Sequence, residues 1–512
     1  MRSALLVICA LSCLVSLALN WAARGLARRA GLVDRPDGHR KIQTQAIPLA
    51  GGIAIFATML TIIAALMAVD PDWRKTVFAH SSEVVGLLVS GAIIVLVGIV
   101  DDFIGLRGRQ KFFGQIVAAG VLVVFGVCIQ RISVLGWSCD LGNLAVPFTI
   151  FWLVGAINAL NLLDGIDGLA ATLGVILSSA IAVAALFAGH ESIALVAAVL
   201  AGSLVGFLRY NLPPASIYLG DAGSMLIGLA VGVMAIQASL KGPGTVLLGI
   251  PLALWTVPIF DSAAAILRRK LTGRSIYTTD RAHLHHHLMS RFGHRWTLTC
   301  IGCVSVVTSA GALLGVWWND DRIAIICSVS VVLIFVSLKV FGHSELQLVV
   351  VKSRSFLRSV FLSRAIQPGA GWDEAVHLQG TRQWNLLWET LTEYAQRLEF
   401  VEIRLDLNLP ILGEGYHASW RRPNGNDHAQ HWRLDHPLMV DGRVLGYVKI
   451  VGDRGGMAGQ NLEQLMELLE QVESHLKVLA RPEPVVTSHT ISSGVPDLLG
   501  PEPALNVDPR AG

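Results

Sequence analysis

Apolar stretches recur along the first two thirds of the chain, at roughly 3–22, 46–69, 82–100, 112–130, 144–163, 168–188, 192–210, 222–240, 245–267, 297–317 and 323–342. Each approaches the ~20 residues that carry a helix across the hydrocarbon core of a bilayer. The pattern predicts an all-α polytopic membrane protein with about 11 transmembrane helices. Polar clusters fall where alternate stretches end. Asp101-Asp102 follows the third, Asn161-Leu162-Leu163-Asp164-Gly165-Ile166-Asp167-Gly168 the fifth, Gly220-Asp221-Ala222-Gly223-Ser224 the seventh, and His283-Leu284-His285-His286-His287 the ninth. Carboxylates are costly in hydrocarbon, so four clusters converging on one membrane face suggest a shared site.

After Phe341 the long apolar runs cease. Residues 381–398 read as an amphipathic helix, 401–407, 416–421, 431–438 and 444–451 as strands, and 461–479 as a second helix with Leu462, Leu465, Leu468 and Leu469 on one face. From Arg481 onward Pro, Ser and Gly dominate, a composition that favours disorder. The expected organisation is therefore a transmembrane domain over 1–343, a small C-terminal α+β cytoplasmic domain over 344–480 and a disordered tail over 481–512.

Composition agrees: 53% of the residues are hydrophobic and 15% charged, as in polytopic membrane proteins and unlike soluble domains. A net charge of +3 is too small to argue for a nucleic-acid partner. Most of the cysteines lie inside apolar runs, and Cys300 and Cys303 have no partner pair, which reads as packing rather than a metal site. The first apolar run is followed by Arg24, Arg28 and Arg29 rather than by a small-residue cleavage site, so a retained span is expected, not a removed signal. Arg and Lys crowd the loops after the first, third and ninth stretches (Arg40 and Lys41; Arg107, Arg109 and Lys111; Arg268 through Arg295), whereas the opposite loops are poor in them. Positive charge marks the cytoplasmic side. The polar clusters and the carboxyl tail then face the cytoplasm of an inner, plasma membrane.

Each cluster has its own chemistry. Adjacent carboxylates at a helix end bind a divalent cation or stabilise a cationic partner, or else form a charge pair beside Arg107 and Arg109. Asn158, Asn161, Asp164 and Asp167 recur three apart and form a slanting stripe on a helix, with more polar groups than capping needs. Small residues around Asp221 allow a tight turn with free amides, suited to phosphate or metal-phosphate at a helix start. Asn211 adds an amide to that region. The histidines, in a basic loop beside Asp280 and Arg281, fit the phosphates of an anionic substrate better than a closed zinc site. One ligand satisfies all four clusters: a nucleotide diphosphate carrying a metal ion, with hard oxygen ligands favouring magnesium, or manganese as the alternative.

Taken together, these residues resemble the polyprenyl-phosphate N-acetylhexosamine-1-phosphate transferases, glycosyltransferase family 4. The resemblance rests on Gly31 to Pro36, Lys41, Ile47 to Gly52, Asp101-Asp102, Asn158 to Leu169, Asn211 to Gly228 and Asp261 to Leu288, and spans about residues 1–342. It implies that a polyprenyl phosphate in the inner leaflet attacks the β-phosphate of a UDP-amino sugar, releasing UMP and starting lipid-linked glycan synthesis for the cell envelope. It also implies Asp221 as magnesium ligand and Asp101, Asp102, Asp164 and His285 as catalytic. Lys41, Asn161, Asp167, Asn211, Arg281, His283 and His286 are implied as substrate-binding. A phosphate monoester has its second pKa near 6 and is already largely ionised at pH 7, so no general base is strictly required.

The His-Leu-His-His-His order departs from the Pro-x-His-His-His of the peptidoglycan branch and favours UDP-GlcNAc with undecaprenyl phosphate. The phospho-MurNAc-pentapeptide transferases remain the alternative within the family. A transporter or membrane sensor is the alternative outside it. The tail lies beyond the resemblance and reads as a docking or dimerising module, with a homodimer among the assemblies it allows.

Overall fold

A computed structural model describes residues 2–35, 46–69, 71–79, 81–242, 245–272, 283–350, 353, 372–379, 384–409, 414–422, 431–440, 443–453 and 459–479. The membrane domain runs through α1 (Arg2–Ala30), β1 (Val33–Asp34), β2 (Ile47–Pro48), α2 (Gly51–Val69), α3 (Pro71–Ala79), α4 (Ser81–Ile104), α5 (Gly108–Val124), β3 (Arg131–Val134) and β4 (Trp137–Asp140). It continues with α6 (Ala145–Leu163), α7 (Leu169–Ala188), α8 (Glu191–Asn211), α9 (Gly220–Ala238), β5 (Leu240–Gly242), β6 (Thr245–Leu247), α10 (Gly249–Leu254), α11 (Thr256–Thr272), α12 (Leu284–Trp318) and α13 (Asp321–Ser337). Eight of these helices, α1, α2, α4, α6, α7, α8, α9 and α12, are long and apolar enough to cross a membrane. The chain is a multi-pass membrane protein.

The other three expected spans differ. Helices α5 and α13 have 17 residues each, close to the lower limit for spanning. The stretch over 245–267 is not one helix: it opens as a strand and then divides into α10 and α11 on either side of Trp255. There β5 and β6 join β3 and β4 in a four-stranded sheet of order β4-β3-β6-β5, at the end of the bundle away from the polar clusters. Period-two alternation over three or four residues is too short a signal to separate such strands from a buried helix.

Helix α9 is central: 94% of its apolar window is buried, against 28% for α1. Apolar residues all round α9 (Met225, Leu226, Ile227, Leu229, Ala230, Val231, Val233, Met234) are almost fully buried, so it is walled by other helices on every side. The polar clusters stand at the end where α9 begins.

Beyond α13, residues 343–350 are helical. The tail then forms β7 (Trp372–Gln379), α14 (Trp384–Arg397), β8 (Glu402–Leu409), β9 (Glu414–Arg421), β10 (His431–Val440), β11 (Arg443–Asp453) and α15 (Gly459–Leu479). Its sheet has the order β10-β11-β8-β9-β7 with antiparallel pairing throughout. Ile403, Leu405, Leu407 and Leu409 alternate inward and form a core with Trp384, Trp388, Leu465, Leu468 and Leu469 from the two helices. Strand β7 was not expected from sequence. The expected disorder of 481–512 lies outside the described residues.

Candidate active site

The site is assembled where helix ends meet, and small residues set how closely. Gly98 on α4 lies against the Ala222 backbone, and Gly52 on α2 lies against the Gly223 backbone; a Cβ at either would collide with main-chain atoms of α9. Backbone cannot swing aside as a side chain can, so only glycine permits the approach. The segment before α2 is also stitched to the loop before α9: Gly51 N–H donates to the Tyr218 carbonyl at 3.0 Å, Gly52 N–H to Leu219 at 3.0 Å, and Tyr218 N–H to Pro48 at 2.8 Å. The Ile47 to Gly52 motif thus holds the turn that presents Asp221.

Gly220 has φ 71°, and a Cβ there would stand 2.7 Å from Asp102 Oδ2; both facts require glycine. Asp221 follows, and its N–H donates to Asp102 Oδ1 at 3.1 Å. At the end of α4, Asp101 Oδ1 accepts from Leu106 N–H at 2.7 Å. Lys111, on the first turn of α5, bridges Asp101 Oδ2 at 3.0 Å and Asp221 Oδ1 at 2.7 Å. From α6, the Asn161 amide donates to the same Asp221 oxygen and to Ser224 Oγ. One turn beyond Lys111, Gln115 Oε1 accepts from the Asn158 amide at 2.7 Å. An i, i+4 polar stripe on α5 therefore meets the i, i+3 stripe on α6. Lys111 and Gln115 were not among the expected site residues. In sequence Lys111 stands out only as a loop cation; its spacing from Gln115, entering an otherwise apolar span, is the signal that marks it.

Asp164 ends α6 half-buried. Burial, then the charges of Asp221, Asp102 and Asp167, raise its carboxyl well above the ordinary range, with Lys111 opposing. Four carboxyl groups (Asp101, Asp102, Asp164 and Asp221) thus gather around the single Lys111 ammonium. Asp102 Oδ2 is buried with no hydrogen-bond partner. A buried carboxylate oxygen left unsatisfied is costly and fits a site that a cation completes. Among the described residues no three His, Cys, Asp or Glu side chains are already gathered as a metal cage; Asp101 and Asp221 close on Lys111 instead.

Asp167 and Asn211 are placed differently. Asp167 Oδ2 accepts from Ala215 N–H at 3.0 Å. The Asn211 side chain accepts from Gly168 N–H at 3.0 Å and donates to the Ile217 carbonyl at 3.0 Å. These two side chains brace the loops that flank α7 and precede α9, rather than pointing free groups toward the carboxylates.

The histidines are not in a loop. His283, in extended backbone, caps α12, and the next residues form its first turn before Gly293 (φ 75°) breaks the helix. His283 Nδ1 lies 2.9 Å from Asp261 Oδ2, and Leu284 N–H donates to Asp261 Oδ1 at 2.6 Å. His285 is 1% exposed with Nδ1 unpartnered, and a Cβ on Gly165 would come within 2.8 Å of its Nε2. The His285 and His286 rings stand 4.3 Å apart. Asp261 and Gly165 therefore carry the imidazoles to the α6–α7 turn that also holds Asp164. Lys41 and Arg281 lie outside the described residues.

The family model for glycosyl transferase family 4 matches residues 84–239, which include Asp101, Asp102, Lys111, Asn161, Asp164 and Asp221. The chain is 35% identical over 309 residues to a probable undecaprenyl-phosphate N-acetylglucosaminyl 1-phosphate transferase of Bacillus subtilis, covering 59% of this chain and 82% of that protein. It is 33% identical over 345 residues to a decaprenyl-phosphate N-acetylglucosaminephosphotransferase of Mycolicibacterium smegmatis, covering 62% and 84%. A phospho-N-acetylmuramoyl-pentapeptide-transferase of Thermoanaerobacter is 33% identical over 269 residues, covering 50% and 78%. With the carboxylates, the glycine contacts and the His-bearing turn in place, these relations establish that the chain belongs to glycosyl transferase family 4, the polyprenyl-phosphate sugar-phosphate transferases.

Proposed function

We propose that this protein transfers GlcNAc-1-phosphate from UDP-GlcNAc to a polyprenyl phosphate, undecaprenyl phosphate in the first instance, at the cytoplasmic face of the inner membrane. The observation that carries the reading is the convergence of Asp101, Asp102, Asp164 and Asp221 on Lys111, with Asp102 Oδ2 unsatisfied, at one end of the bundle. An all-carboxylate oxygen set suits magnesium. Asp221 and Asp102 would hold it, and the metal would offset charge on the donor diphosphate.

The protein's own groups account for the remainder. An acceptor phosphate oxygen bonds to the β-phosphorus, the bond to the bridging oxygen breaks, and UMP leaves with that oxygen. The acceptor is ionised at neutral pH, so Asp101 need not remove a proton; its bonds to Leu106 and Lys111 fit a positioning role. Lys111 can turn from Asp101 and Asp221 toward phosphate oxygens, exchanging one charge partner for another. His285, buried beside Gly165 with Nδ1 unpartnered, would offer a hydrogen-bonding imidazole at the α6–α7 turn. Catalysis of this kind rests on positioning and charge neutralisation.

The test is purified full-length protein with undecaprenyl phosphate and a panel of UDP-sugars, reading UMP and the lipid product. Turnover with UDP-GlcNAc is expected. Turnover only with UDP-MurNAc-pentapeptide would move the protein to the peptidoglycan branch, and no turnover with any donor would overturn the enzymatic reading.

A further inference from the structure

Among the buried charges of helix α11 are Asp261 and Arg268, seven residues apart, 0% and 1% exposed. That spacing puts both on one face, two turns apart. Asp261 holds the start of α12 through His283 and Leu284. Arg268 Nε donates to Glu345 Oε1 at 2.6 Å, and the pair is buried on both sides. The sequence places Arg268 in a cytoplasmic loop; the structure buries it against the Glu345 carboxylate.

Glu345 belongs to a short strap after α13. Phe341 in this strap packs edge-on to Phe260 of α11 at 5.3 Å and to His287 of α12 at 5.9 Å. Gly342 (φ 82°) passes so close to Phe260 that a Cβ would stand 2.6 Å from the ring. Leu348 then meets Leu271 at the end of α11 and Val376 of the tail sheet. The strap therefore grips the helix that carries Asp261 and touches the His-bearing turn itself, and Glu345 lies just past the region of family resemblance.

We propose that Glu345 is a positioning residue of the transferase: its buried pair with Arg268 fixes α11, and α11 through Asp261 fixes His283 and His285 against the α6–α7 turn. Replacing the Glu345 carboxylate takes an ion-pair partner from a buried guanidinium and an anchor from α11, so the disturbance passes along α11 to the imidazoles. The inference rests on the transferase reading for its kinetic effect, but not for its structural one.

The experiment uses full-length Glu345→Gln. UMP release should fall about tenfold or more in kcat, while Asp261→Asn combined with Glu345→Gln should be no worse than Asp261→Asn alone to within about twofold, the non-additivity of residues acting in one chain of contacts. Independently of activity, carbethoxylation read by mass spectrometry should find His285 protected in the wild type and reactive in Glu345→Gln. His417, 1% exposed in the tail, should stay protected in both. If Glu345→Gln does not give monodisperse protein, Glu345→Asp, which keeps the charge on a shorter arm, carries the same readouts. Wild-type kcat with His285 still protected, losses that multiply in the double variant, or His285 and His417 exposed together would each overturn the proposal. A wild type without UMP release but with His285 exposed on loss of Glu345 would overturn the transferase reading and leave this inference standing.

Discussion

The polar stripe of α6 and the turn after it divides into two halves that bury similar side chains in opposite ways. Asn161 and Asp164 face Asp101, Asp102, Asp221 and Lys111, where carboxyl groups outnumber the ammonium and one carboxylate oxygen has no partner. Asp167, with Asn211 from α8, faces backbone groups at 3.0 Å. The first half leaves a buried carboxylate oxygen without a partner, whereas the second bonds Asp167 Oδ2 and both ends of the Asn211 amide to backbone. Buried polar groups are normally satisfied by the protein, which makes a bonded side chain a candidate for scaffold and an unpartnered carboxylate oxygen among other carboxyl groups a candidate for a ligand. Residue type does not separate the halves; partners do.

Substitutions can break or sharpen this contrast. Asp221→Asn should lose at least about 10³ in kcat, ~4 kcal/mol of transition-state stabilisation, measured as UMP release at saturating magnesium. Retention of a tenth of wild-type activity would mean that Asp221 is not essential. Lys111→Met should cost about tenfold to a hundredfold, ~1.4–2.8 kcal/mol, because Asp101 and Asp221 are left facing each other without their ammonium. A variant as active as wild type would make Lys111 a merely local counter-charge.

Gly98→Ala tests the framework both halves share. Overpacking against the Ala222 backbone should destabilise by ~1–3 kcal/mol and displace Asp101 and Asp102, seen as a lower thermal midpoint together with reduced kcat. Asp167→Ala should act mainly on folding. Leaving Ala215 N–H unpaired costs ~1–3 kcal/mol, with kcat within a few-fold of wild type in the folded fraction. A full loss of activity at unchanged stability would return Asp167 to the substrate site.

Much of this was visible along the chain. The long apolar runs, the Asp and Asn stripe and the Gly-Asp turn are local signals, and the structure brings most of the residues they single out to the same end of the bundle. The four strands over 131–140 and 240–247 were not legible, because runs this short carry no distinguishing period. The first turn of α12 was read as loop because its histidines are polar; Asp261, distant in sequence, pairs with His283 and accepts from Leu284 N–H, and so stabilises that turn as helix. Lys111 was hidden among loop cations, since its meaning depends on two carboxylates from other helices. Arg268 misled for the same reason: its partner, Glu345, lies far along the chain. Local pattern gives elements, whereas which polar group is satisfied is a property of the assembled bundle.

The contrast between the halves is tested most directly by measuring thermal midpoint and kcat side by side for Asp221→Asn and Asn211→Ala. A crossed result is predicted: Asp221→Asn keeps or nearly keeps the wild-type midpoint and loses turnover, and Asn211→Ala lowers the midpoint but turns over within a few-fold of wild type. Loss of turnover by Asn211→Ala as complete as that of Asp221→Asn, at an unchanged midpoint, would contradict the division between scaffold and site.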